Sequence, residues 1–164
     1  MRERPTARVL LLDPANRILL VKGRLLSAPP GQGAWFTVGG GVEPGETLME
    51  AAAREIREET GFIDVTLGPV VWRREGPMEF YPGQPTLIQE SYVLARCAGA
   101  EPSRAGWTEL ERSIMDDIRW WTPAELAASA ESIHPEGLAQ LLAELLAAGA
   151  PDAPRQLPWP LPPA

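Results

Sequence analysis

Three glutamates, Glu55, Glu58 and Glu59, stand at i, i+3 and i+4 in a single short stretch. On a helix that spacing puts all three carboxylates on one face. Like charges this close repel by roughly 0.2–0.5 kcal/mol per exposed pair, and by more when partly buried. A fold keeps such a cluster when a cation sits among the oxygens, and hard divalent ions such as Mg²⁺ take oxygen ligands of this kind. Arg54 adjoins the cluster, and its planar fork suits a carboxylate such as Glu46, which would tie the preceding loop to the helix. Gly39-Gly40-Gly41 lies just upstream. Glycine lets the backbone bend sharply there and bring a carbonyl oxygen to the cation, where a side chain would obstruct it. The plainer alternative is a solvated helix face with Glu50–Arg54 and Arg54–Glu58 ion pairs.

The surrounding elements must position these groups. From Thr47 to Thr60 the pattern is helical, with Leu48, Ala51, Ala52, Glu55, Ile56 and Glu59 recurring on one side and Gly61 as the stop. Ahead of it, Ala7–Leu12 and Arg17–Lys22 read as paired strands joined at Asp13-Pro14-Ala15-Asn16. An irregular loop over 23–33 follows, then a strand over Ala34–Val38 that runs into the glycines. Downstream, Val65–Arg73 and Leu87–Ala98 read as strands, with a loop marked by Gly76-Pro77 and Tyr81-Pro82-Gly83 between them. Residues 99–117 read as a long loop with some helix, and Ile118–Thr122 as a short strand. Thr122-Pro123-Ala124-Glu125 opens a helix, and a last amphipathic helix is expected over Pro135–Ala148, with His134 at its start. The expected class is α/β, with helices on both faces of a mixed sheet. Residues 1–150 make one domain, and 151–164, with six prolines, make either an extended arm whose Trp159 docks on the body or a partner, or a loose terminus.

The stretch from Gly40 to Phe62 resembles the Nudix box: Gly, five residues, Glu, seven residues, Arg-Glu-U-x-Glu-Glu-x-Gly-U, with U a bulky apolar residue. Its fixed residues stand at Gly40, Glu46, Arg54, Glu55, Glu58, Glu59 and Gly61, with Ile56 and Phe62 at the U positions. Chance agreement at one starting point is on the order of one in a billion at ordinary residue frequencies. The resemblance implies a Nudix-type α/β/α sandwich. It also implies a hydrolase that cuts a phosphoanhydride bond in a nucleoside diphosphate linked to another moiety. The implied cofactor is Mg²⁺ or Mn²⁺, held by Glu55, Glu58, Glu59 and the carbonyl of Gly39. Val38 replaces the proline common before the double glycine in the family; that position shapes the loop and supplies no ligand. The general base is either a box glutamate or one from the later loop, where Glu111 is preferred over Glu109. Glu90 is a weaker candidate. A non-catalytic nucleotide sensor and a diphosphate isomerase are the alternatives. The box keeps every glutamate, which argues against the first, and no cysteine or histidine set near it supports the second.

The net charge of −7 over 164 residues argues against a nucleic-acid binder, and a cation between carboxylates and phosphates reconciles it with an anionic substrate. Cys97 is the lone cysteine, most simply a small buried residue, so no internal disulfide forms. No secretory signal or membrane span reads from the N-terminus, so the cytoplasm is the expected compartment. The expected partner is a small nucleotide, with no membrane; a homodimer stays open. Pro77, fifteen residues after the box, resembles a mark of the ADP-ribose subfamily, which favours ADP-ribose-like compounds slightly over nucleoside triphosphates. Tyr81 sits one residue beyond the place of the tyrosine that marks the dinucleoside polyphosphate group. Trp35, Trp72, Phe80, Tyr81 and Trp107 are candidates for stacking on a base.

Overall fold

The computed structural model describes residues 1–24 and 29–160. Strand β1 (Arg2–Leu12) is central, and its composition explains why. Ala7, Val9 and Leu11 face one hydrophobic cluster, while Leu10 and Leu12 face another. A strand buried on both sides reads as a continuous apolar run, as Val9–Leu12 does. β1 pairs antiparallel with β2 (Ile18–Gly23) and β3 (Ala34–Gly41), and parallel with the distant β5 (Gln84–Arg96). The turn into β2 closes on Asp13, whose carboxylate accepts the Ala15 and Arg17 N–H groups, with Asn16 at φ 62°.

Strands β4 (Thr66–Tyr81), β6 (Met115–Trp121), β7 (Ile133–His134) and β8 (Arg155–Gln156) complete a mixed sheet. Its order is β6-β2-β3-β1-β5-β4-β8, and β7 adds to β3. Helix α1 (Leu48–Thr60) covers one face through Ala51, Ala52 and Ile56. The other face is covered by α3 (Pro123–Ala128), through Leu126, and by α4 (Leu138–Ala148), through Leu138, Leu142 and Leu145. A short helix α2 (Glu109–Ile114) precedes β6. This is the expected α/β class with helices on both faces. Among the described residues no helix is long and apolar enough to cross a membrane.

Several boundaries differ from the sequence reading. β4 runs through Gly76-Pro77, where a loop was expected, and only Pro82-Gly83 turn. β8 covers β4 only at Trp72 and Arg73, so the stretch around Pro77 is an edge, where a residue without an N–H costs no ladder bond. The last helix begins at Leu138, not Pro135. His134 lies in β7, in register with Phe36, and Gly137 takes the left-handed conformation that opens α4. The loop expected over 23–33 falls partly outside the described residues.

The proline-rich arm docks on the body. The Leu157 N–H donates to the Arg73 carbonyl at 2.7 Å, and the Arg155 guanidinium pairs with Glu144 at 2.6 Å. The Trp159 ring lies over Gly76, with the Arg74 guanidinium 5.0 Å from its centre. A Cβ on Gly76 would stand 2.0 Å from Trp159 Cγ. Gly76→Val suits a strand locally but removes this berth. It is expected to lower stability by about 1–2 kcal/mol and to speed tryptic cleavage after Arg155. Thermal unfolding and timed digestion with mass spectrometry check both; unchanged cleavage would refute the berth.

Candidate functional site

The site starts from the ends of α1. Thr47 caps its N-terminus by accepting the Glu50 N–H, and Gly61, at φ 79°, closes its C-terminus. Between these caps the helix turns about 100° per residue. Glu59 therefore falls some 40° to one side of Glu55, and Glu58 falls on the other side, toward Arg54. The contacts follow. The Arg54 Nη1 donates to Glu55 at 3.0 Å and to Glu58 at 3.2 Å. Its Nε and Nη2 grip both oxygens of Glu46 at 2.8 and 3.0 Å, and Nη2 also reaches the Gly41 carbonyl at 3.0 Å. One guanidinium thus ties the loop after β3 to the helix. Its hydrogen bonds hold the Glu46 carboxyl down, at a pKa of about 2.

The glycines fit around Glu55 and Glu59. A Cβ on Gly40 would meet Glu55 Oε1 at 2.4 Å. Gly39 is at φ 147°, where a Cβ would stand 2.0 Å from the Ala7 carbonyl oxygen. Its N–H donates to Glu59 at 3.3 Å. Glu111, carried by α2, joins the two buried glutamates: one carboxylate oxygen from each of Glu55, Glu59 and Glu111 lies within 4.8 Å of the others. Glu58 lies outside this group with its side chain 39% exposed, and Glu109 is exposed and also outside it. Burial first, and then the Glu55 charge, push the Glu59 carboxyl well above the ordinary range, against the pull of Arg8. Burial and Glu55 also raise Glu58. Carboxyls this crowded, offering only oxygen donors, fit a hard divalent cation.

The chain matches the NUDIX domain family over residues 2–145. It belongs to the Nudix family. The nucleoside triphosphatase NudI of Salmonella newport is 37% identical over 103 residues, covering 60% of this chain and 67% of the relative. A MutT protein from Methanosarcina mazei Go1 superposes with a TM-score of 0.63 at 16% identity, over 89% of this chain and 94% of the other. An ADP-ribose pyrophosphatase from Streptococcus suis gives 0.58 at 18% identity, over 93% and 96%. At such identities the two structures speak for the fold, which is the Nudix sandwich. Nudix proteins generally use a divalent metal, and this chain gathers an acidic cluster at Glu55, Glu59 and Glu111.

Other candidates fall elsewhere in this Nudix chain. Glu90 is buried and committed: Arg8 Nε meets it at 2.7 Å, Arg74 Nε at 2.8 Å and the Tyr92 hydroxyl at 3.4 Å. Burial alone would raise its carboxyl, but the two arginines hold it below the usual range. Arg74 also reaches Glu136 at 3.0 Å, and Glu136 contacts His134, whose ring stacks on Phe36 at 5.0 Å. Arg8 and Arg74 were missed by the sequence reading, because only the register of β1, β4 and β5 brings them to Glu90. Trp35, Trp72 and Trp107 are core residues, whereas Tyr81 is exposed at the β4–β5 turn and the Phe80 side chain lies outside the described ones. Cys97 is half-buried, and burial raises its thiol.

A pH dependence follows from Glu59. Its folded pKa lies above the ordinary value of 4.5, so its share of stability is whole below that value and is lost as pH rises through the folded one. A cation bound at this carboxylate would take the place of the proton and remove the loss. In EDTA the melting temperature is expected to fall from pH 5 to pH 8, and divalent metal is expected to restore more at pH 8 than at pH 5. Equal restoration at both pH values, read by differential scanning fluorimetry, would refute the assignment.

Proposed function

We propose that this Nudix hydrolase cleaves a phosphoanhydride bond of nucleoside triphosphates, with Mg²⁺ or Mn²⁺ as its cofactor. The observation that carries the reading is the approach of Glu55, Glu59 and Glu111 beside the Arg54–Glu46 clamp. In it Glu55, Glu59, Glu111 and the Gly39 carbonyl hold the cation, which when bound supplies Lewis acidity toward phosphate oxygens. Arg54 fixes the direction of Glu55 and, through Glu46, the loop that brings Gly39 and Gly40 to the site. Glu58, at the rim with its acidity weakened, accepts the proton of the attacking water. Water that loses its proton as it meets phosphorus needs an acceptor of this kind, and a carboxyl of raised pKa takes it more readily.

The triphosphate preference rests on the 37% identical relative, named a nucleoside triphosphatase. An ADP-ribose-like substrate is the second reading, favoured by Pro77. Pro77 is exposed on β4, opposite Leu87, and its contribution would come through the surface of that hairpin. Steady-state rates on both classes decide between them: a kcat/KM a hundredfold higher for ADP-ribose would overturn the triphosphate reading and leave the metal site intact.

Glu59→Gln keeps the size of the side chain and removes a charged ligand. It is expected to lower kcat by roughly 100-fold or more while leaving the fold, because cation-held transition-state charge is worth several kcal/mol. Glu58→Gln is expected to lower kcat similarly with metal affinity little changed. Circular dichroism, metal titration and steady-state kinetics on the two variants read these effects, and near wild-type rates in both would remove the box from the chemistry.

A further inference from the structure

Helix α1 and the segment before α2 are fastened together by bonds that also fix where Glu111 stands. The last carbonyls of a helix lack partners inside it. In α1 the Arg57 carbonyl accepts the Gly61 N–H, as a left-handed cap provides. Segment 103–107 takes up the next ones. The Ser103 N–H donates to the Thr60 carbonyl at 2.8 Å, and the Trp107 indole Nε1–H donates to the Glu59 carbonyl at 2.8 Å. Gly106 passes so near that a Cβ on it would stand 2.7 Å from the Glu58 carbonyl oxygen. Trp107 alone is buried between residues 96 and 117, and the Arg104 guanidinium lies 5.1 Å from its ring centre.

The next residue, Thr108, caps α2. Its hydroxyl accepts the Glu111 N–H at 3.1 Å, and Glu111 Oε1 accepts the Thr108 N–H at 2.9 Å. This reciprocal cap fixes the Glu111 carboxylate relative to Thr108. Helix α2 buries none of its own residues, so its placement comes from its neighbours. Arg112 Nη2 ties it back to the Arg104 carbonyl at 3.0 Å. The contacts from Glu59 to Glu111 thus run through the indole N–H and the capping box, beside the Ser103–Thr60 bond, the Arg112–Arg104 tie and the Arg24 N–H donated to the Ile114 carbonyl.

We propose that Trp107 is a positioning residue for the cation site: its bond to the Glu59 backbone sets how close the Glu111 carboxylate comes to those of Glu55 and Glu59. This rests on the reading of Glu111 as a cation ligand. Groups that orient a metal ligand typically contribute about 10- to 100-fold to metal affinity when mutated.

The test is Mn²⁺ binding, by calorimetry and by electron paramagnetic resonance, on the full chain and on Trp107→Phe, Glu111→Gln and the double variant. Circular dichroism establishes that each is folded at the working temperature. Trp107→Phe keeps a buried ring and removes the donor. It is expected to weaken Mn²⁺ binding about tenfold. Glu111→Gln is expected to weaken it at least as much, and the double variant no further than Glu111→Gln alone, because Trp107 acts only through Glu111. Gly106→Ala, which keeps the indole but crowds the Glu58 carbonyl, is expected to lower affinity as well and serves if Trp107→Phe does not fold. Full Mn²⁺ affinity in the Trp107 and Gly106 variants, with a loss in Glu111→Gln, would overturn the positioning role. So would losses that multiply in the double variant. Full affinity in Glu111→Gln would instead overturn the ligand reading of Glu111 on which it rests.

Discussion

The guanidinium of Arg54 bonds to four groups from two segments: Glu46 and the Gly41 carbonyl on the loop, Glu55 and Glu58 on the helix. The placement of the box glutamates depends on this clamp. Without it Glu46 would lose its bonds to the helix, and Glu55 would face Glu59 without the guanidinium that now bonds to it. The clamp is effective because it is planar and multidentate; a lysine, with a single mobile ammonium, would not span both partners. It also explains the division among the box glutamates. Glu58 shares the arginine with Glu55 and stays near solvent, whereas Glu59 turns away and meets the backbone of Gly39.

Two groups of buried charge lie near one another and follow opposite logic. At Glu90 two arginines outweigh burial, and the carboxylate remains charged. At Glu59 burial and a second carboxylate win, and the carboxyl is pushed well above the ordinary range. The first arrangement is complete within the protein and serves the structure. The second crowds like groups together, a condition common at functional sites.

The sequence carries the local parts of this arrangement well. Helix α1 with its Gly61 stop, the Arg54–Glu46 pair and the acidic face follow from spacing alone, since each involves neighbours within about two turns of chain. Resemblance points to Glu111 as a candidate base, and the fold adds its place: capped against Thr108, its carboxylate lies within 4.8 Å of those of Glu55 and Glu59, while Glu109 is exposed. Features set by distant pairing were not legible. Arg8 and Glu90 meet across 82 residues, and nothing local tells which face of β1 or β5 each occupies. The course of β4 past Pro77 and the late start of α4 depend on which edges of the sheet are covered, which one-dimensional patterning does not encode.

The parallel register of β1 with β5 also governs how the molecule is made. Its two most central strands meet only after the chain has closed a loop of more than eighty residues, a step whose entropy must be spent before any contact rewards it. Topologies of this kind fold slowly compared with those built from neighbours. Helix α1 can form early from local signals, but the Gly39 N–H that meets Glu59 arrives with β3, and Arg8 arrives with β1. The acids are therefore brought together near the end of folding, once enough apolar surface is buried to outweigh their repulsion. A nascent chain thus has no need of metal to begin folding, and the cation acts on a framework that is already built.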